Sequence, residues 1–473
     1  MDYISYGDDR WEIICGHFAG PEKRALEMLY EALAESVPYI PVARCAEKAD
    51  PKEDVNRILV GTLEDNIFLR SYVKQENVQE GGFLVRVCKD LVRPERQVVA
   101  LVGSTPTQTL YAVSHFLDDY LALAQRNKDH IPYFKQLFQG EMPLYEYCAV
   151  PAFEERGIWT WGHCIYDHRR FAQNMARMGL NAITIWNDFA PLNLKEVIDC
   201  FHSYGILVNL GYSWGWDEGV NIADPAERAY WTQRAAEIYQ EEYASAGGDG
   251  IYFQAFTETC DEERDGVSIA DAVVAWVNAI GGEMLARWPE LHIQFGLHAT
   301  SVKKHLEVIR QVDPRIAILW EDCGAFPYSY LSRDTENFEE SLKFSDAMAA
   351  LRPGTGYGAV LKGQVCLDWS RFEHQKGPFV LGCAGAQAVR RRARNVRAQW
   401  HDVQSYWLQN AEKCRQTLQH LPGAAIYSLV EDALLEEACW YPTALYAQLL
   451  WKPELGPREL LQRVAQRKHV ELA

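Results

Sequence analysis

RGIWTWGHCIYDHRRFAQNMARMGLNAITIWNDFAPLNLKEVIDCFHSYGILVNLGYSW, residues 156–214, decides the fold. Three short runs rich in β-branched and aromatic residues, at 157–161, 181–186 and 206–214, are separated by polar loops and by stretches with apolar residues at helical spacing. The same rhythm continues through GIYFQAF (250–256), HIQFGLH (292–298), IAILW (316–320), YGAVLKG (357–363) and AAIYSLV (424–430). Helical segments such as AERAYWTQRAAEIYQEEYA and SIADAVVAWVNAIGGEMLARW stand between most of them. Strand and helix alternating over about 300 residues require a parallel sheet, and eight such units match a closed (β/α)8 TIM barrel. An open doubly wound sheet is the competing fold, but no GxGxxG or GxxxxGK[ST] follows the early strands. The charged helix RRRARNVRAQWHDVQSYWLQNAEKCRQTLQ before the last run reads as a solvated face or salt-bridge ladder.

Upstream the rhythm differs. RILVGT after Asn56, GFLVRV (82–87) and VVALVG (98–103) read as strands. A helix over 21–36 carries Leu26, Leu29, Tyr30 and Leu33 on one stripe, and a second begins at a cap on Ser104 or Thr105. The expected organisation is an α/β chain in which a small α+β accessory domain (1–150) precedes the (β/α)8 barrel (151–455), with a helical tail at 456–473.

Composition narrows the function. With 48% hydrophobic and 24% charged residues the chain has the balance of a soluble globular protein. Sixty-five acidic against 47 basic residues give a net charge of −18, which repels nucleic acid and anionic membranes. The twelve Cys stand singly without a CxxC pair, the opening MDYISYGDDRWEIICG lacks a signal-peptide pattern, and no 18-residue apolar run is evident. The expectation is a cytoplasmic protein with a carbohydrate substrate and neither a nucleic-acid nor a membrane partner, and with a homodimer left open. Fifteen Trp and 24 Tyr offer aromatic faces of the kind that suit sugars.

In such a barrel the active site lies at the C-terminal ends of the strands, so polar residues just past each apolar run are the candidates. These include His163 after strand one, Asn187 and Asp188 after strand two, Glu258 after strand four, His298 after strand five, Glu321 and Asp322 after strand six, Lys362 and Trp369 in and after strand seven, and Glu431 and Asp432 after strand eight. Glu258 ends GIYFQAFTE, where apolar neighbours would favour its protonated form and general-acid use. Glu321, or else Asp322, would be base or nucleophile, since two carboxyls facing one sugar are the minimum for cleaving a glycosidic bond. Trp161, Trp186, Trp214, Trp320 and Trp369 are candidate stacking walls, with Asn187, Asp188 and His298 as hydrogen-bonding partners. His163, His298 and His374 form no HExxH-like cluster, so neither a catalytic metal nor a cofactor is expected.

ERGIWTW, MGLNAITIWND, YGILVNLGYSW and ADPAERAYWTQRAAEIYQ leading into GGDGIYFQAFTE resemble stretches of the family 67 α-glucuronidases. RILVGT, GGFLVRV and STPTQTLYAVSHFL are similar to the accessory domain that those enzymes share with the family 20 β-N-acetylhexosaminidases. The resemblance covers about residues 20–263, with a fainter echo in CWYPTALYAQLLW. It implies an exo-acting glycoside hydrolase removing a terminal uronic acid or N-acetylhexosamine, with Glu258 as general acid and Arg156 as a sugar ligand. Thr257 stands where the hexosaminidases carry the Asp of their Asp–Glu pair, and the later α-glucuronidase acidic motifs find no match, so the family supplies no base. Arg156 and Lys362 are candidate clamps for a uronate. The competing functions are a non-catalytic carbohydrate-binding barrel and a barrel lyase or isomerase.

Overall fold

The computed structural model describes residues 10–122, 138, 141–214, 219–254, 261–298, 304–323, 337–365, 374–431 and 435–473; of 322–323 and 363–365 it describes only the backbone. Eight parallel strands close a barrel: Arg156–Trp161, Ala182–Trp186, Leu207–Gly211, Gly250–Gln254, His292–Leu297, Ile316–Cys323, Tyr357–Val365 and Ala425–Glu431. Each pairs with its sequence neighbours, and the eighth closes on the first through Ile426 opposite Arg156 and Leu429 opposite Trp159. The fold is the (β/α)8 barrel read from the alternation.

Side-chain parity along each strand sets what faces inward. Trp159, Trp161, Ala182, Trp186, Tyr252, Ala317, Leu319, Val360, Ala425, Tyr427 and Leu429 form one buried cluster inside the barrel. The alternate residues, such as Ile158, Ile183, Phe253, Ile318, Trp320 and Ile426, join the larger core between strands and helices. At mid-depth the barrel interior is polar: the Tyr427 hydroxyl donates to Glu155 and accepts from Asn209 Nδ2 and Gln294 Nε2, both at 3.0 Å.

The surrounding helices carry local start and stop signals. Asp167 caps His168–Met178 by accepting from the amides of Arg169 and Arg170, and Gly179 ends it at φ 74°, a conformation suited to glycine. The long charged helix Ala386–Gln419 buries Val396, Trp400, Val403, Trp407, Cys414 and Leu418 along one side, which leaves its arginine run on the other. The helix Ile269–Arg287 is long and apolar enough to cross a membrane by length and composition, an exception to the sequence expectation. It packs beside Pro225–Ile238, with Val273, Trp276, Val277, Ile280 and Met284 buried.

The N-terminal part is a six-stranded mixed sheet in the order Val42–Cys45, Trp11–Cys15, Asn56–Gly61, Gln97–Gly103, Phe83–Lys89, Tyr145–Ala149. The outer strand Tyr145–Ala149, like Trp11–Cys15 and Val42–Cys45, goes beyond the three strands read from the sequence. Helices Gly20–Ser36 and Pro106–His115 lie between this sheet and the barrel helices His168–Met178 and Leu194–Ser203. After the barrel, Tyr441–Trp451 is buried almost throughout. The segment expected as a helical tail is the helix Pro457–Gln466 followed by a short strand, Val470–Glu471, paired with Cys439–Trp440.

Candidate active site

Inward parity carries two carboxylates to the C-terminal end of the barrel. On strand six, Ala317 and Leu319 face in, so Glu321 does too. On strand eight, Ala425, Tyr427 and Leu429 face in and Glu431 follows them. Neither carboxylate is an ordinary surface group, with Glu321 6% exposed and Glu431 0%.

Glu321 is held from two neighbouring strands. Gln254 Nε2, at the end of strand four, donates to its Oε1, and His298 Nε2, just past strand five, lies 3.0 Å from its Oε2. Room for this cluster comes from Gly296 on strand five: a Cβ there would sit 2.1 Å from the Tyr252 hydroxyl and 2.2 Å from Glu321 Oε1. The glycine is required by that close approach.

Glu431 sits between strands one and seven. Trp161 Nε1 donates to its Oε1 at 3.1 Å, while its Oε2 is buried and has no hydrogen-bond partner among the described residues. Burial pushes the Glu431 carboxyl up to about 7, with the nearby Lys362 ammonium and the Trp161 N–H offsetting part of the effect. A carboxylic acid that keeps its proton near neutrality suits general-acid work.

Below the carboxylates the indoles form a packed floor. Trp161 and Trp186 meet edge to face at 5.9 Å, Trp159 lies 5.8 Å from Trp161, and Tyr252 lies 6.2 Å from Trp186. The rim carries a second polar cluster: Asp188 accepts from the Gln375 amide at 2.9 Å and lies 3.0 Å from His374 Nδ1, whose ring stands 5.9 Å from Trp161. Burial pushes His163 below its ordinary value, with Asp188 pulling the other way. Among the described residues, no group of three or more His, Cys, Asp or Glu is arranged to hold a metal ion.

The structure brings together Glu321, His298, Trp161, Trp186, Asp188 and Lys362 at this end of the barrel. Asn187 is there too, but its side chain is buried and turns back on strand two, Nδ2 donating to the Ile185 carbonyl at 3.3 Å. Glu258, Trp369 and Asp432 lie outside the described residues, as does the side chain of Asp322.

Three candidates face elsewhere. Trp320 has outward parity and packs edge to face on Phe344 of the helix Phe338–Ala349 at 4.7 Å. Trp214 stacks on the outward Phe253 at 3.9 Å, with an interplanar angle of 11°. Both fill the strand–helix core, because a residue at a run boundary reaches the mouth only on the inward phase of the strand. Arg156 begins strand one at the opposite end of the barrel and is 2% exposed. Its guanidinium donates to the carbonyls of Phe153, Glu154 and Gly179 and lies over the Trp451 ring at 5.0 Å, so it is a joint between elements and not a sugar ligand. Glu431 is the functional candidate that sequence reasoning left among the strand-end residues without a role; the alternation of AIYSLVE was the signal that could have selected it.

No family model matches the chain, and no curated protein matches it. Among solved structures, a family GH115 4-O-methyl-α-glucuronidase with specificity for decorated arabinogalactans is similar with a TM-score of 0.52 and 13% identity, covering 93% of this chain and 56% of that one. CpGH84D is similar with a TM-score of 0.50 and 12% identity, covering 96% of this chain and 68% of that one. At these identities the likeness is one of fold. The chain spans little more than half the length of the first of these proteins. The family 67 and family 20 resemblance stays with the motifs that carry it.

Proposed function

We propose that this chain is an exo-acting glycoside hydrolase that removes a terminal sugar of the uronic acid or N-acetylhexosamine type by two-carboxylate catalysis. The observation that carries the reading is the pair Glu321 and Glu431, both inward-facing at one end of a (β/α)8 barrel above an indole floor. Their environments differ in the way acid–base chemistry uses. Glu431 is desolvated and pushed up to about 7, so it holds a proton to give to a leaving oxygen. Glu321 accepts from Gln254 and is braced by His298, which orients a carboxylate for use as base or nucleophile. The family resemblance implies a general acid at Glu258, which lies outside the described residues.

Lys362 supports the uronate form of the proposal, since of the two cations chosen for that role it stands beside Glu431 while Arg156 is sealed at the far end. Product analysis on a panel of aryl and oligosaccharide glycosides tests the proposal. Release of a free reducing sugar from a uronide or N-acetylhexosaminide is expected. An unsaturated, ultraviolet-absorbing product would mean a lyase, and saturable binding without any product would mean a carbohydrate-binding barrel.

A further inference from the structure

Away from the barrel mouth, a small open cleft lies between the N-terminal sheet and the lower end of the barrel. Gly179 lines it, and the Gly179 carbonyl accepts from Arg156 at the start of strand one, so the cleft is at the opposite end from Glu321 and Glu431. Its walls carry Arg177, Arg463 and Arg467 against Asp119. His115 also lines it; burial pushes its pKa down, although Asp119 pulls the other way. Three guanidiniums against one carboxylate leave a surplus of two positive charges, in a chain whose net charge is −18. Neighbouring Asp118 also faces Arg177 and Arg467, but His469 lies 3.0 Å from it and offsets its charge.

The donors are incompletely used. Arg467 is 5% exposed; its Nη2 donates to the Arg177 carbonyl at 3.0 Å and lies 3.5 Å from Asp119 Oδ2. Among the described residues, its Nε and Nη1 are buried without a hydrogen-bond partner, as is the Nε of Arg177. Asp119 is shared with His115 Nδ1 at 3.1 Å, and Arg463 Nη2 donates to the Tyr147 hydroxyl at 2.6 Å. Buried cationic donors without acceptors are costly, and guanidinium forks match the geometry of oxyanions.

We propose that this cleft binds a small oxyanion through Arg467, Arg177 and Arg463. Inorganic phosphate and sulfate are its simplest forms. An anion there fastens the sheet to the barrel and leaves the chemistry at the mouth untouched.

Calorimetric titration of the full chain with phosphate and with sulfate, against chloride at matched ionic strength, tests this. One saturable site per chain is expected, together with a rise in Tm on adding either oxyanion. Arg177→Met should weaken binding at least about tenfold; its side chain makes no hydrogen bond or ion pair among the described residues, and circular dichroism and thermal unfolding check that the variant folds. Arg177→Lys, which keeps the charge and loses the fork, should fall between. Oxyanion binding no tighter than that of chloride, or binding undiminished in a folded Arg177→Met protein, would overturn the proposal.

Discussion

Glu431 and Glu436 are both buried glutamates pushed up to about 7, yet their surroundings give them different work. Glu436 accepts from the amides of Tyr166 and Asp167 and so pins the loop after strand one. Glu431, at the mouth, has one oxygen on the Trp161 indole and the other without a partner among the described residues. Each holds its proton more tightly folded than unfolded. The stability that each contributes is therefore complete below about 4.5 and lost as pH rises through about 7. Glu436→Gln and Glu431→Gln should each flatten that decline, as measured by denaturant unfolding against pH. Turnover separates them: kcat/KM should fall as pH rises through about 7, and only changes at Glu431 or its contacts should alter this limb. Trp161→Phe, which removes the N–H that favours the carboxylate, should move the limb upward; an unmoved limb would detach Glu431 from proton transfer.

At the scale of strands, the site depends on phase and on one missing Cβ. Gly296→Ala would drive a methyl into the Tyr252 hydroxyl and Glu321, both buried, so it should displace Glu321 and destabilise the fold by about 1–3 kcal/mol. The check is paired: chemical denaturation for the stability, and turnover for the larger loss. Phase also explains what could be read in the sequence. Apolar runs and helical spacing located all eight barrel strands because a parallel strand enclosed on both faces is apolar nearly throughout. That same continuity hid which alternate residues face in. Trp320 and Glu321 are adjacent and both buried, and only the pairing of the folded sheet assigns one to the helices and the other to the mouth. In the N-terminal sheet, Val42–Cys45 is an edge strand without a fully buried residue, so it lacks the apolar signal that marked the inner strands Asn56–Gly61 and Gln97–Gly103.

For the whole molecule, Arg156 shows how an arginine opening a barrel strand can join elements instead of touching substrate. Gly179 gathers Arg156 Nε at 2.9 Å and Trp451 Nε1 at 3.2 Å on one carbonyl, while Trp451 also meets Phe83 and Tyr111 of the N-terminal part edge to face. Arg156→Lys cannot reproduce this fork and should cost about 3 kcal/mol of stability with KM unchanged, by unfolding and steady-state kinetics. A raised KM at unchanged stability would return Arg156 to the sugar. The C-terminal strand is tied in by His469: burial opposes its charge, but Asp118 outweighs burial and holds the imidazolium to about 9. That stability is full below about 6.5 and lost as pH rises through about 9, which hydrogen exchange at Val470–Glu471 should register.

In the proposed mechanism two carboxylates serve one sugar. The measurement that bears on it most directly is kcat and KM for the wild type, Glu321→Gln and Glu431→Gln on the best glycoside of the panel, with folding checked in each. Each variant should lose about 10²–10⁴-fold in kcat while KM changes little. Wild-type turnover in either folded variant would contradict it.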